Sequence, residues 1–245
     1  SEMCIRDRDL GTYTLTNESS HTIVNNGTLT IIGSGTVDNV THAKAALYNA
    51  PGATVVLNGG TYTRSKENGI SSTDNGGNSF YTIQNQGTMT INDDVTVNQG
   101  ADGNGKYSSL VTNGWYNGKQ NTRKENAIMT VNGGVFNGGI NTIKNDDWGI
   151  MEIYDGTIQN SAQHALMNAN KGAIYGGTFT TDSTRGAVYA YAQYENTYGL
   201  GELTIKGGEF TSNGAAALEA EASSAISITG GTFSSDPSTY VAQGY

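Results

Sequence analysis

The sequence predicts an all-β solenoid, a single domain of about eight coils with roughly 22 residues in each. Three observations carry this: a turn motif that recurs along the chain, a second motif that interleaves with it in phase, and a composition hostile to helices. A Gly-Gly turn followed two residues later by an aromatic occurs at Asn58–Tyr62, Asn132–Phe136, Tyr175–Phe179, Lys206–Phe210 and Thr229–Phe233, with degenerate copies ending at Val37, Val97 and Ile158. An apolar residue two positions before Asn or Ala occurs at Ile23/Asn25, Leu47/Asn49, Ile83/Asn85, Val111/Asn113, Ile143/Asn145, Leu166/Asn168, Val188/Ala190 and Leu218/Ala220. Where nothing is inserted, the first series repeats every 21 to 25 residues, and internal periods of this size mark stacked repeat architectures.

Each aromatic or aliphatic anchor is preceded by a short β-rich run such as LTII, ATVVL, TMTI, IMTV, GIMEI, LTI or ISI. A coil of about 22 residues then holds some three strands of 4–5 residues joined by tight turns, and no such strand can bury its apolar face alone. Stacking solves this, because each strand pairs with its counterparts above and below at ~4.8 Å and the inward side chains form continuous ladders. The paired glycines supply turns that need φ > 0 or lack room for a Cβ. The residues at 25, 49, 85, 113, 145 and 168 predict an asparagine ladder. A leucine-rich repeat shares the period but would need its own Leu spacing and a helical half; a propeller blade needs ~40 residues or more.

The composition agrees and excludes several functions. Of 245 residues, 34 are Gly and 2 are Pro, with 14% charged and a net charge of −9. Gly costs roughly 0.5–1 kcal/mol per interior helix position, and Thr, Asn and Ser prefer strands and turns. The acidic balance and scattered basic residues rule out nucleic acid as a partner. No run of about 18 apolar residues is present, so no membrane insertion is expected. The single cysteine, Cys4, allows no internal disulfide. The expected organisation is an extraneous head at 1–9, resembling a translated sequencing adapter, a β-helical domain at 10–236, and a linker at 237–245 that opens at Pro237 and leads to a missing module.

The I-x-G-G-T-F turns, the Asn series and the coil length resemble a right-handed parallel β-helix of the pectin-lyase-like superfamily, over about residues 10 to 236. The closing segment, TGGTFSSDPSTYVAQGY, more narrowly resembles repeats in uncharacterised surface proteins of gut bacteria of the Firmicutes type. That resemblance implies a bacterial, extracellular, cell-surface location and flanking domains in the parent chain. It carries no activity with it.

Insertions mark where function is placed, since turns tolerate extra residues and a stacked core does not. They fall at 63–80, 98–108, 114–126 and 191–200; the first two follow the anchor position and the last two follow the Asn position, so each pair leaves its own longitudinal edge. Trp115, Tyr116, Lys119 and Arg123 in one loop, and Tyr191, Tyr194, Glu195 and Tyr198 in another, are the ligand-binding candidates. Flat rings beside amides and charges suit the apolar face and hydroxyls of a sugar. The other reading folds Trp115 and the tyrosines back as a plug over the coil edge.

Catalytic and metal sites are not predicted. Lyases of the resembling superfamily use clustered carboxylates on calcium with an Arg or Lys base; here Asp93–Asp94 occupies a Gly-Gly turn position, and Asp74, Asp102, Arg123 and Lys124 are the other nearest groups. Calcium wants six to eight oxygens, which the pair alone cannot supply, so no cofactor is expected, with calcium the weak alternative. The hydrolases' Gly-His-Gly motif is missing. Asp146–Asp147, beside Trp148, reads as a solvated turn, and His21, His42 and His164 fall on repeat positions as structural or surface residues. Thr-x-Thr pairs (28/30, 61/63, 88/90, 178/180) fall on two strand positions, which argues against a water-ordering face like that of ice-binding solenoids. The expected function is a non-catalytic adhesion or display module binding glycans or host and cell-surface proteins through its edge loops. The alternative is a carbohydrate-active enzyme, a polysaccharide lyase before a glycoside hydrolase.

Overall fold

In a computed structural model of the chain, residues 5–41, 43–66, 80–99, 108–116, 121–192, 201–214, 216–221 and 224–245 are described. They form a right-handed parallel β-helix. Each coil contributes one strand to each of three all-parallel sheets, in the order C, A, B: Leu47–Asn49, then Thr54–Leu57, then Gly60–Thr63 in one coil. Sheets A and B have nine strands, from Ile5–Asp9 to Ala225–Ile228 and from Thr14–Asn17 to Thr232–Phe233; sheet C has eight, from Ile23–Asn25 to Leu218–Ala220. Residues 5–9 pair in register with Thr28–Ile32. Among the described residues the sole helical turn is 3-10, at Ser238–Tyr240. There Tyr240 packs on the core and Val241 bridges to Ile228.

The strands stack in strict register, so every coil position becomes a column. The anchor column runs Val37, Tyr62, Val97, Phe136, Ile158, Phe179, Phe210, Phe233 along sheet B, and all but Phe233 are fully buried. Phe179, Phe210 and Phe233 lie nearly parallel with centroids 5.0 and 4.9 Å apart. The glycine turns are fixed by the same stacking: a Cβ on Gly59 would come within 2.6 Å of the Gly33 carbonyl oxygen, one coil away.

The predicted asparagine ladder is continuous over six rungs at the turn from sheet C to sheet A. The side-chain amides of Asn25, Asn49, Asn85, Asn113 and Asn145 each donate to the Oδ1 of the next, at 2.7–2.8 Å. Each also donates to a turn carbonyl of the neighbouring coil, as Asn113 does to Ile150 at 3.0 Å. Within the ladder the amides are satisfied by one another and by turn carbonyls, which is what makes a column of buried polar groups tolerable.

The outward columns of sheet B are polar. One holds Thr14, Thr36, Thr61, Thr96, Val135, Thr157, Thr178, Glu209 and Thr232. The next outward column, two residues on, holds Thr16, Asp38, Thr63, Asn98, Asn137, Gln159, Thr180 and Thr211. The Thr-x-Thr pairs 28/30 and 88/90 lie instead on sheet A.

Asn113→Ala leaves the Asn85 amide its Gly87 and Ile128 carbonyls but strands the Asn145 oxygen inside the turn stack; at ~1–3 kcal/mol for an orphaned group, we expect a loss of about 2 kcal/mol in urea unfolding. Phe179→Ala, which opens a cavity in the anchor column, is expected to cost about 3–5 kcal/mol in the same assay.

Candidate functional site

Sheet C is short, and its Ile-x-Asn pattern sends the middle residue outward. That outward column reads Val24, Tyr48, Gln84, Thr112, Lys144, Met167, Tyr189, Glu219. Outward residues of a sheet normally meet solvent, yet Thr112 and Lys144 are 1% and 7% exposed. The insertions explain the difference. Those at 63–80 and 98–108 enter sheet C from sheet B, and those at 114–126 and 191–200 leave it for sheet A, so the two edges inferred from sequence are the two borders of one sheet. Sheet C is the floor, and the stems of the insertions wall its middle coils.

Over Lys144 lies a cleft of about 310 Å³, lined by Tyr81, Ser108, Ser109, Tyr116, Ile140, Asn141, Lys144, Gln163, Met167 and Tyr191. The Lys144 ammonium lies 5.2 Å from the centre of the Tyr116 ring, and 2.9 Å from Asp146 Oδ2. Burial raises the phenol pKa of both Tyr81 and Tyr191, with the Asp146 charge the next cause at Tyr81 and the Glu221 charge the next at Tyr191. Rings extend the floor in both directions. His21 stacks on Tyr48 at 5.2 Å, with Phe80 beside it and Tyr81 next. On the other side His164 stacks on Tyr189 at 4.7 Å, and Tyr189 meets Tyr191. His164 is buried, with Nδ1 donating to the Gly186 carbonyl at 2.8 Å; burial lowers its pKa, so the ring is a neutral structural element. From Tyr48 to Tyr189 the column crosses six strands, ~24 Å at the usual strand spacing.

Asp146 and Asp147 correct the expectation of a solvated turn: both are fully buried. The turn from Asn145 to Ile150 is two residues longer than the Asn85–Thr88 turn at the same place, and the neighbouring coil's insertion closes over it. Trp115 N–H donates to the Asp147 carbonyl at 3.0 Å, forming an antiparallel bridge between the insertions. The approach is so close that a Cβ at Gly114, where φ is +111°, would lie 2.4 Å from the Asp147 carbonyl oxygen. Trp148 adopts φ +64° to complete the turn. Burial pushes the Asp147 carboxyl up to about 7, with the Asp146 charge adding to it; neither of its oxygens has a hydrogen-bond partner. Burial also raises Asp146, against the opposing pull of Lys144.

Of the residues singled out from sequence, Trp115 folds back as a plug, 4% exposed. Tyr116, 55% exposed, and Tyr191 line the cleft. Arg123 lies apart from it: its guanidinium donates to the Pro51 carbonyl at 3.1 Å and pairs with Glu125 at 3.3 Å. Lys119, Tyr194, Glu195 and Tyr198 lie outside the described residues, as do Asp74, Asp102 and His42. Sequence reasoning missed Lys144, Tyr81, Asn141 and Gln163. The one available signal was the lysine in the outward slot of an Ile-x-Asn strand. Asp93 and Asp94 form an exposed turn, and among the described residues no three His, Cys, Asp or Glu side chains come together as metal ligands.

A carboxyl whose folded pKa is raised holds a proton that the unfolded chain has released, so its ionisation costs stability as pH rises. We expect the melting temperature to fall as pH goes from 3.8, the ordinary aspartate value, to about 7, and Asp147→Asn to flatten that part of the profile. Compared with known proteins, the chain matches no family model, no curated protein and no solved structure.

Proposed function

We propose that this β-helix is a non-catalytic adhesion or display module of a larger bacterial cell-surface protein, and that it binds an extended glycan along the outer face of sheet C. The observation that carries the reading is the walled floor around Lys144, with Tyr81, Tyr116 and Tyr191 beside Asn141, Gln163 and two serines. Rings cover the apolar faces of sugars while amides and hydroxyls exchange hydrogen bonds with theirs. The open, elongated form of the floor fits a chain bound by many shallow contacts. A protein partner would have to enter between the same walls.

One observation favours a second reading, that of a carbohydrate-active enzyme, a polysaccharide lyase before a glycoside hydrolase. The Lys144 ammonium pairs with Asp146, and Asp147 follows Asp146 in the same buried turn. General acid-base work needs the acting group within hydrogen-bond reach of substrate, however, and both aspartates are sealed beneath the floor. Among the described residues, the titratable groups that line the cleft are the lysine and the phenols, and the lysine is held by its own counter-ion. This geometry serves recognition better than proton transfer.

On a glycan array, the intact chain is expected to retain specific oligosaccharides. Tyr116→Ala is expected to weaken the best of them about tenfold, ~1.4 kcal/mol, and Arg123→Ala to leave it unchanged. Equal binding by wild type and Tyr116→Ala removes the cleft from the account, and chain cleavage of a retained polysaccharide establishes the enzymatic reading instead.

A further inference from the structure

On sheet B, the face that does not carry the cleft, we infer a separate activity: binding to the oxygen lattice of ice. Counted as Thr-x-Thr pairs the threonines scatter over two sheets, but by column they do not. The first outward column of sheet B is threonine in seven of its nine strands, with every neighbouring pair in register. None of the seven hydroxyls is engaged in a hydrogen bond within the described chain, so all are left for water. Sheet A offers no column as uniform: the row that begins Thr28, Thr54, Thr88 continues as Ile128, Ile150, Lys171, and the row through Thr30, Thr90, Thr130 and Thr204 is broken by Val56, Glu152 and Ala173.

Water in ice and water in the liquid hydrogen-bond with similar strength, so a protein gains by holding ice only where many donors and acceptors already stand in a crystalline repeat. The face meets that requirement along its first column. Seven hydroxyls stand on strands ~4.8 Å apart over about 38 Å, interrupted at Val135 and Glu209, and Thr16, Thr180 and Thr211 add outward hydroxyls about 6.7 Å away in the second column. Threonine is β-branched and stiff at χ1, so the array loses little freedom on binding. Charge completes the match. In a chain of net charge −9, the two columns carry acids only at Asp38 and Glu209, and Asp38 is occupied by hydrogen bonds from the Ser65 backbone and hydroxyl. A neutral face suits an uncharged lattice, whereas ionic side chains impose their own hydration on it.

The test uses the intact 245-residue chain, with thermal hysteresis and incorporation into a slowly grown ice hemisphere as readouts. Wild type is expected to shape ice crystals and to enter the ice. The double variant Thr157→Lys/Thr178→Lys is expected to lose both effects with circular dichroism and melting unchanged, while Thr130→Lys on sheet A and Tyr116→Ala in the cleft keep them. Exclusion of the wild type from ice overturns the inference, as does equal loss in the sheet A variant. Retention on crystalline cellulose without any effect on ice overturns it as well, and assigns the face to a polysaccharide surface. None of these outcomes depends on whether the cleft binds glycan.

Discussion

Coil-to-coil pairing in constant register is the constraint from which every other feature of this molecule follows. Each inward position meets its own copy ~4.8 Å away, so a residue is tolerated there only if it is self-complementary. Phenylalanine satisfies this by stacking, as Phe179, Phe210 and Phe233 do. Asparagine satisfies it through a side chain that both donates and accepts, so that one rung completes the next. A charged residue cannot, because its copy would repel it. That leaves charge to the outward columns and the insertions, and function with it.

The same rule accounts for what could be read in the sequence. The anchors at Phe136, Phe179, Phe210 and Phe233 and the rungs from Asn25 to Asn168 are periodic, and periodicity is a local signal that survives without coordinates. The cleft is not periodic. Lys144 occupies a slot that alternation assigns to solvent; its burial depends on insertions from other coils, Tyr116 among them, meeting over it. Asp146 and Asp147 read as a polar turn because nothing near them in sequence announces that Trp115 will close over that turn. The threonines of sheet B were obscured for the opposite reason. A search for dipeptide pairs discards Thr36, Thr96 and Thr157, whose companions are Asp38, Asn98 and Gln159, although the column itself is regular.

Insertions also show how such a scaffold acquires a site without losing its core. Two neighbouring coils depart from the pattern at the same turn, one by two residues and the other by a longer loop. Their shared bridge at Trp115 and Asp147 lets the departures support each other. The cost is a pair of acids taken out of water, partly offset by Lys144 and by retention of a proton. A burial of this kind fixes the Lys144 ammonium in place, which a freely solvated lysine on a sheet surface would not achieve.

The amide column stops short of the last coils. At Ala190 and Ala220 the rung is a methyl group, and the Asn168 amide turns to the Asn170 and Glu202 carbonyls instead. In a structure whose cohesion is a sum of nearest-neighbour terms, the final windings therefore lack the buried amide column and are fastened by backbone pairing, packing and scattered side-chain bonds such as that from Tyr189 to Glu221. Opening should begin there and travel toward the middle, so that amide protons exchange on a gradient along the axis and not all at once. The rod thus has a soft end and a hard centre, and the cleft lies in the hard part.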